Sequence, residues 1–302
     1  MKNLKNAIVP CLWFDLQAEE AVNFYAKVFG NTTIHSISRY AKAGSEQHQK
    51  PEGSVMSVDF SMHDQAFLAL NGGPMYPHSP GISFYVTCES AAEADKVWEA
   101  LEEGGSVLMP FDSYPWSEKY GWLKDQYGVS WQISLGKLSD VKQKFVPSLK
   151  FVGQKFGKVE AAIDFYLDTF KHSSLEGITR YEEEDPDETG KVKHAQFYLQ
   201  GCTFMMMESS LAHHFDITPA ISFIIFCDKQ SEIDYYWDKL TQGEGDAVQC
   251  GWLYDQYGVS WQVVPRMLAE GMKDPEKTPK LTAAFMPMKK LDISVLEKAL
   301  ER

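Results

Sequence analysis

Two carboxamides, Gln132 and Gln262, occupy the same place in a stretch that the chain carries twice. Gly121-Trp-Leu-Lys-Asp-Gln-Tyr-Gly-Val-Ser-Trp-Gln-Ile133 returns as Gly251-Trp-Leu-Tyr-Asp-Gln-Tyr-Gly-Val-Ser-Trp-Gln-Val263, with two differences in thirteen residues. Read as a strand, its end sends Val129, Trp131, Ile133 and Leu135 to one face and Ser130, Gln132 and Ser134 to the other. The apolar face reads as core. The polar face sets an amide, both donor and acceptor, on a cavity wall, and Ser260 and Gln262 repeat it. Ile82 to Thr87 divides in the same way, Ser83 and Tyr85 on one face, with Ser222 as the second-copy counterpart of Ser83. Trp122 and Trp252 are either packing groups or the aromatic walls of a ligand cleft. Such neutral polar and aromatic groups suit the binding of a small organic molecule.

Acid–base chemistry has fewer candidates. Glu208 is either an edge carboxylate facing water or, if burial raises its pKa, a base or ligand contact. Tyr120 is the other acid–base candidate. Cys11, Cys227 and Cys250 have no identifiable histidine–acid partners, and their apolar neighbours suit inert buried thiols. His213 and His214 read as a surface loop pair. Asp125 and Asp255 read as turn formers that bond the backbone before Tyr127 and Tyr257. The run Glu182-Glu-Glu-Asp-Pro-Asp-Glu188 reads as a solvated loop, because consecutive like charges repel. No glycine-rich loop of the dinucleotide type follows a strand, so methyl transfer from S-adenosylmethionine is not expected.

The repeat dictates the organisation of the elements that must position these groups. Ile8 to Phe14 predicts a strand, and Ala21, Phe24, Tyr25, Val28 and Phe29 share one helical face before Gly30-Asn31. Val55 to Phe60 and Ala66 to Leu70 predict paired strands with a turn near His63-Asp64, and another strand falls near residues 33–40. The same grammar restarts at Gly81. Ser90 with Glu93 is a capping-box pattern, and Ala94, Val97, Trp98 and Leu101 form the helical face. Pro147 to Phe151 restates Pro10 to Phe14 and opens a second copy, with helical faces around Val159–Phe170 and Ile233–Leu240. Expected boundaries are 1–140 and 146–265 for the two domains. A helical tail over 266–302 has a short helix at 266–272, a linker at 273–279 and a last helix capped by Asp292. The tail either packs across a domain or covers a pocket.

Bulk properties narrow the partners. In 302 residues, 42 acidic against 29 basic side chains give a formal charge of −13, which disfavours nucleic acid and anionic membranes. No apolar run approaches about 20 residues, so no membrane span is expected. Five cysteines without a close CxxC spacing fit a reducing, cytoplasmic setting better than a disulfide framework.

One family shares these motifs. Pro10-Cys-Leu-Trp13-Phe14, Ala18-Glu-Glu-Ala-Val-Asn-Phe-Tyr25, Ala69-Leu-Asn71-Gly-Gly73, Ile82-Ser-Phe84 and the repeated stretch together resemble the PhnB-like (3-demethylubiquinone 3-methyltransferase-like) branch of the vicinal-oxygen-chelate superfamily, the glyoxalase and bleomycin-resistance fold. The resemblance spans roughly residues 5–265. It implies an α+β fold of tandem domains, each made of two βαβββ modules curled around a cleft. In metal-dependent relatives the ligands sit on the first, fourth, fifth and eighth strands. Here those positions fall near Pro10 or Cys11, Leu70 or Asn71, Ser83 and Gln132, and near Pro147 or Ser148, Met207 or Glu208, Ser222 and Gln262. Serine and glutamine are poor substitutes for histidine and carboxylate, so neither a metal nor another cofactor is expected. The expected function is metal-independent binding of a small organic molecule, with Trp13, Asn71, Ser83, Trp122, Gln132, Ser222, Trp252 and Gln262 as ligand-binding residues. The alternatives are a lyase or isomerase using Glu208 and Tyr120, and an interaction module built as an intrachain pseudo-dimer. Intrachain pairing of the domains is expected; a homodimer of the whole chain is a further candidate.

Overall fold

A computed structural model describes residues 7–301. The first module is β1 (Ile8–Phe14), α1 (Ala18–Phe29), β2 (Thr32–Arg39), a one-turn α2 (Ser45–His48), β3 (Val55–Met62) and β4 (Gln65–Asn71). The second is β5 (Ile82–Cys88), α3 (Ala91–Glu102), β6 (Ser106–Tyr114), β7 (Ser117–Lys124) and β8 (Ser130–Leu135). A short α4 (Leu138–Val141) leads to the third: β9 (Phe145–Phe151), α5 (Val159–Thr169), β10 (Ser174–Arg180), β11 (Val192–Leu199) and β12 (Cys202–Glu208). The fourth is β13 (Ile221–Cys227), α6 (Gln230–Leu240), β14 (Asp246–Ala247), β15 (Trp252–Tyr254) and β16 (Ser260–Pro265). The turn at His63-Asp64 puts both residues at positive φ, 46° and 65°, which matches the twist of the β3–β4 hairpin. No helix among the described residues is long and apolar enough to cross a membrane.

The modules join crosswise. One eight-stranded sheet runs β14-β15-β16-β13-β1-β4-β3-β2 and the other β10-β11-β12-β9-β5-β8-β7-β6. Each sheet therefore takes one module from each half of the sequence, sewn together at the antiparallel pairs β1–β13 and β5–β9. One face of each sheet is covered by helices. Leu12, Phe84, Trp131, Leu149, Phe223 and Trp261 share a single buried core with α1, α3, α5 and α6. The opposite faces form two clefts, called here after their junctions the β1–β13 and β5–β9 clefts.

The repeated stretch holds the halves of this core in place. Asp125 is buried, and its Oδ1 accepts from the amides of Tyr127 (2.9 Å) and Val129 (3.0 Å), the turn-forming role expected from the sequence. Its Oδ2 also accepts from Tyr25 Oη and Trp131 Nε1, both at 2.8 Å. Tyr25 belongs to α1, so one carboxylate ties the first module's helix to the second module's last strand. Asp255 repeats all four bonds with Tyr257, Val259, Tyr166 and Trp261. Gly128 closes the turn at φ +86°, a conformation that L side chains resist. Gly121 is required for another reason: a Cβ there would lie 2.4 Å from the Trp98 ring. Hydrogen bonding and close packing thus account for much of the repeat.

Beyond β16 the chain forms α7 (Arg266–Gly271), α8 (Thr278–Phe285) and α9 (Ile293–Glu301). The expected linker at 273–279 is shorter than the sequence suggests, because Pro279 sits in the first turn of α8, where its missing N–H is harmless. Asp292 does cap α9, accepting from Ser294 N at 2.8 Å. Leu268, Leu281, Leu291 and Leu296 bury one another and reach Val264 on β16. The tail also spans the sheet. Cys250 N donates to Met288 O (2.7 Å) at one side, while Ser38 Oγ donates to Met272 O (3.2 Å) and Lys273 pairs with Asp59 (2.5 Å) at the other. Asp59 is in register with Leu68 on the cleft face, so the tail lies across the β1–β13 cleft.

Candidate functional site

Strand alternation builds the β5–β9 cleft from both halves of the chain. Ser83 on β5 stands opposite Ser148 on β9, and Gln132 on β8 lies one strand beyond. Gln132 Nε2 donates to Ser83 Oγ (2.7 Å) and Ser148 Oγ (3.3 Å), while its Oε1 accepts from Tyr120 Oη (2.8 Å). Both ends of this amide are used. Trp122, in register with Gln132, donates Nε1 to Ser130 Oγ at 2.7 Å and meets the edge of Phe215. Met205 and Met207 continue the wall on β12, opposite Ser148 and Lys150.

Lys150 gives this cleft its charge. It lies two residues beyond Ser148 on the same face, with its Nζ 5.4 Å from the Trp122 ring centroid. Burial pushes its pKa below the usual lysine range, with the charge of Asp187 opposing. Asp187 is buried although it belongs to the acidic run expected to be solvated. It accepts from Ser209 Oγ and from Ser210 N (2.8 Å), and these bonds outweigh burial and hold its pKa low. His213 Nε2 lies 3.0 Å from Ser209 Oγ, and burial followed by the Lys150 charge lowers its pKa. His213 is therefore a half-buried part of the cleft rim rather than a free surface residue.

The β1–β13 cleft has the same plan and different contents. Cys11 stands opposite Ser222, and Gln262 Nε2 donates to Ser222 Oγ at 3.0 Å. Burial pushes the Cys11 thiol up to about 12 against bonds from Gln262 and Ser222, so it is no nucleophile at neutral pH. Val9, Leu68, Leu70, Ile224 and Val264 make an apolar floor. Trp13 occupies the position that Lys150 holds in the other cleft. Its edge meets Trp252 at 5.9 Å and Tyr76 at 5.0 Å, and its Nε1 donates to Gly73 O at 2.6 Å. A hollow of about 300 Å³ beside Trp13 is lined further by Tyr76, His78 and Tyr127.

The expected residues thus divide into three groups. Ser83, Trp122 and Gln132 come together, but Ser148 and Lys150 from the other half complete their cleft. Trp13, Ser222, Trp252 and Gln262 likewise come together, completed by Cys11. Asn71 and Glu208 lie on the opposite, helix-covered face. Asn71 Oδ1 accepts from Ala18 N (2.8 Å) at the start of α1 and its Nδ2 donates to Val55 O (3.1 Å). Glu208, expected to be an acid–base group, accepts from Gly157 N (2.6 Å) and Val192 N (2.9 Å). It is in register with core residue Phe151, so strand alternation turns it away from the cleft. Tyr120 does face the cleft, but burial, with Tyr85 and Tyr114 nearby, raises its pKa far above neutrality. Its hydroxyl orients Gln132 and is a poor base.

This paired-cleft geometry has relatives. A family described as 3-demethylubiquinone-9 3-methyltransferase matches residues 6–134 and again 143–264. The chain belongs to that family. Members of known structure include a PhnB protein of Bacillus cereus, 41% identical over 42% of this chain and 98% of its own, with a TM-score of 0.39. Glyoxalase I from Zea mays is 11% identical, covers 88% of this chain and 95% of its own, and has a TM-score of 0.57. That likeness shows the two-domain vicinal-oxygen-chelate fold across both halves. No curated protein matches the chain.

Against the metal positions of this superfamily the residues do not fit. The cleft faces carry Cys11, Leu70, Ser222 and Gln262 in one case and Ser148, Met207, Ser83 and Gln132 in the other. None of these is a histidine or carboxylate, and the Gln132 amide is already satisfied at both ends. Among the described residues no group of three or more His, Cys, Asp and Glu is placed to hold a metal ion.

Proposed function

We propose that this family member binds a small organic molecule, without a metal, in the β5–β9 cleft. The observation that carries this reading is the Ser83–Gln132–Ser148 row. It lines a sheet face with directed polar groups, flanked by Trp122, Met205 and Met207 as apolar walls. Pockets of this kind, mostly apolar with a few placed polar groups, recognise small molecules by shape and orientation. The β1–β13 cleft has the matching row but lies under the C-terminal helices, which suits a supporting role. Calorimetry and native mass spectrometry of the full chain against a broad metabolite mixture test the reading. Binding should disappear in Ser148→Phe, which fills the cleft floor, and persist in Ser222→Phe. A ligand retained by Ser148→Phe and lost from Ser222→Phe would move the site to the other cleft, and no ligand in any variant would sink the proposal.

A further inference from the structure

We infer that the β5–β9 cleft takes a monoanion, a small carboxylate with a flat or apolar body, and that Lys150 is the residue that recognises it. The inference rests on the proposed cleft and deepens it by naming the ligand's chemistry. A lysine ammonium withdrawn from water normally has a carboxylate beside it, because an unpaired buried charge is costly. Two other lysines withdrawn from water follow that rule: Lys144 pairs with Glu93, and Lys50 lies 3.8 Å from Asp15. The Lys150 ammonium has no ion-pair or hydrogen-bond partner among the described residues and rests on the Trp122 face instead. Its nearest opposing charge, Asp187, is committed to Ser209 and Ser210.

The surroundings set both the charge and the shape of the anion. Ser148 stands one strand-repeat away on the same face, and the half-buried His213 lies at the rim, held to Ser209, so the groups flanking the ammonium are neutral. One ammonium partly offset by Asp187 matches a single negative charge better than a phosphate dianion. Trp122, Phe215 and Met207 around that cation offer flat and polarisable surface for the rest of the molecule. The other cleft supplies an internal contrast. At the equivalent strand position it carries Trp13, edge-on to Trp252, so it has the aromatic wall without the cation.

The test uses paired probes that differ only in charge: benzoate with benzamide, and indole-3-acetate with indole-3-acetamide. Each is titrated calorimetrically into the full chain and into Lys150→Met and Lys150→Arg, with thermal unfolding as a check that the variants fold. The acids should bind the native chain about tenfold or more tightly than the amides, the difference expected of a charge-assisted hydrogen bond in a half-buried site. Lys150→Met should remove that preference while leaving amide binding in place, and Lys150→Arg should keep most of it. Equal binding of acid and amide, unchanged in Lys150→Met, would overturn the anion inference and leave the cleft reading standing. Absence of binding by all four probes would also overturn it, whereas the cleft reading is judged separately by the metabolite titrations in Ser148→Phe.

Discussion

Replacing Asp255 by asparagine probes the tie that locks each half together. In the native chain Oδ1 holds two backbone amides and Oδ2 holds Tyr166 Oη and Trp261 Nε1. Asparagine keeps one accepting oxygen and turns an NH2 group toward the other pair. The Tyr166 hydroxyl can rotate to accept, but the Trp261 N–H then faces a donor, and an unsatisfied buried donor costs about 1–3 kcal/mol. A second effect depends on pH. Burial pushes the Asp255 carboxyl up to about 6 from an ordinary value of 3.8, against the pull of its four hydrogen bonds. A raised carboxyl means that the folded state holds the proton more tightly than the unfolded chain. The stabilisation from protonation is therefore present below the unfolded value and lost as pH rises through about 6. The shift corresponds to roughly 3 kcal/mol. Asparagine has no such titration, so the gap between native and Asp255→Asn chains should widen as pH falls from 7 toward 4. Urea unfolding followed by circular dichroism at several pH values measures the gap. A gap that narrows would show that the ionised carboxylate is the form the fold prefers, and a constant gap that the fold holds the proton no more tightly than the unfolded chain; either result refutes the reasoning.

Three further perturbations separate structural from cleft residues. Glu208→Gln should destabilise the fold by about 1–3 kcal/mol, because its new NH2 confronts a backbone N–H, while leaving ligand affinity in the β5–β9 cleft unchanged; lost binding in a chain of native stability would return Glu208 to the site. Leu281→Asp places a charge in the fully buried tail cluster and should undock α7–α9, seen as increased binding of an apolar fluorescent dye with the sheets retained by circular dichroism. Unchanged dye binding would mean that the tail does not cover the β1–β13 cleft. Gly72→Ala brings a Cβ within 2.1 Å of the Trp13 indole, so that ring must move; near-ultraviolet circular dichroism should change and stability fall by about 1–3 kcal/mol.

Much of the fold is legible in the sequence because its signals are local. Strand alternation separates Trp131 from Gln132 correctly, and turn chemistry places His63-Asp64 and the Asp125 loop. What alternation cannot supply is which module pairs with which. Within-half and crosswise pairing bury the same faces, and the choice depends on the contacts of β1 with β13 and of β5 with β9, which no local pattern encodes. That choice hides Lys150. In its own half it is a lone lysine following Leu149, and only crosswise assembly brings Trp122 beneath it. Glu208 fails in the opposite way: a single residue separates it from Met207, and one step along a strand moves a side chain from cleft to core. Its carboxylate attracts a chemical reading, but its register assigns it to the backbone of Gly157, in the turn before α5, and of Val192 on β11.

Crosswise assembly also bears on how the two copies were free to diverge. A single half would have to find a twin to complete its sheets, and a symmetric twin would give two identical clefts. Joining the halves in one polypeptide breaks that symmetry, yet it leaves each half with a share in both clefts. Substitutions confined to one repeat therefore alter one wall of each cleft and the whole of neither. Position 13 and its repeat, position 150, record the outcome: tryptophan in the cleft the tail covers, lysine in the other. Specialisation in this architecture is written strand by strand, and ancestry traced through whole domains would assign each cleft to the wrong parent.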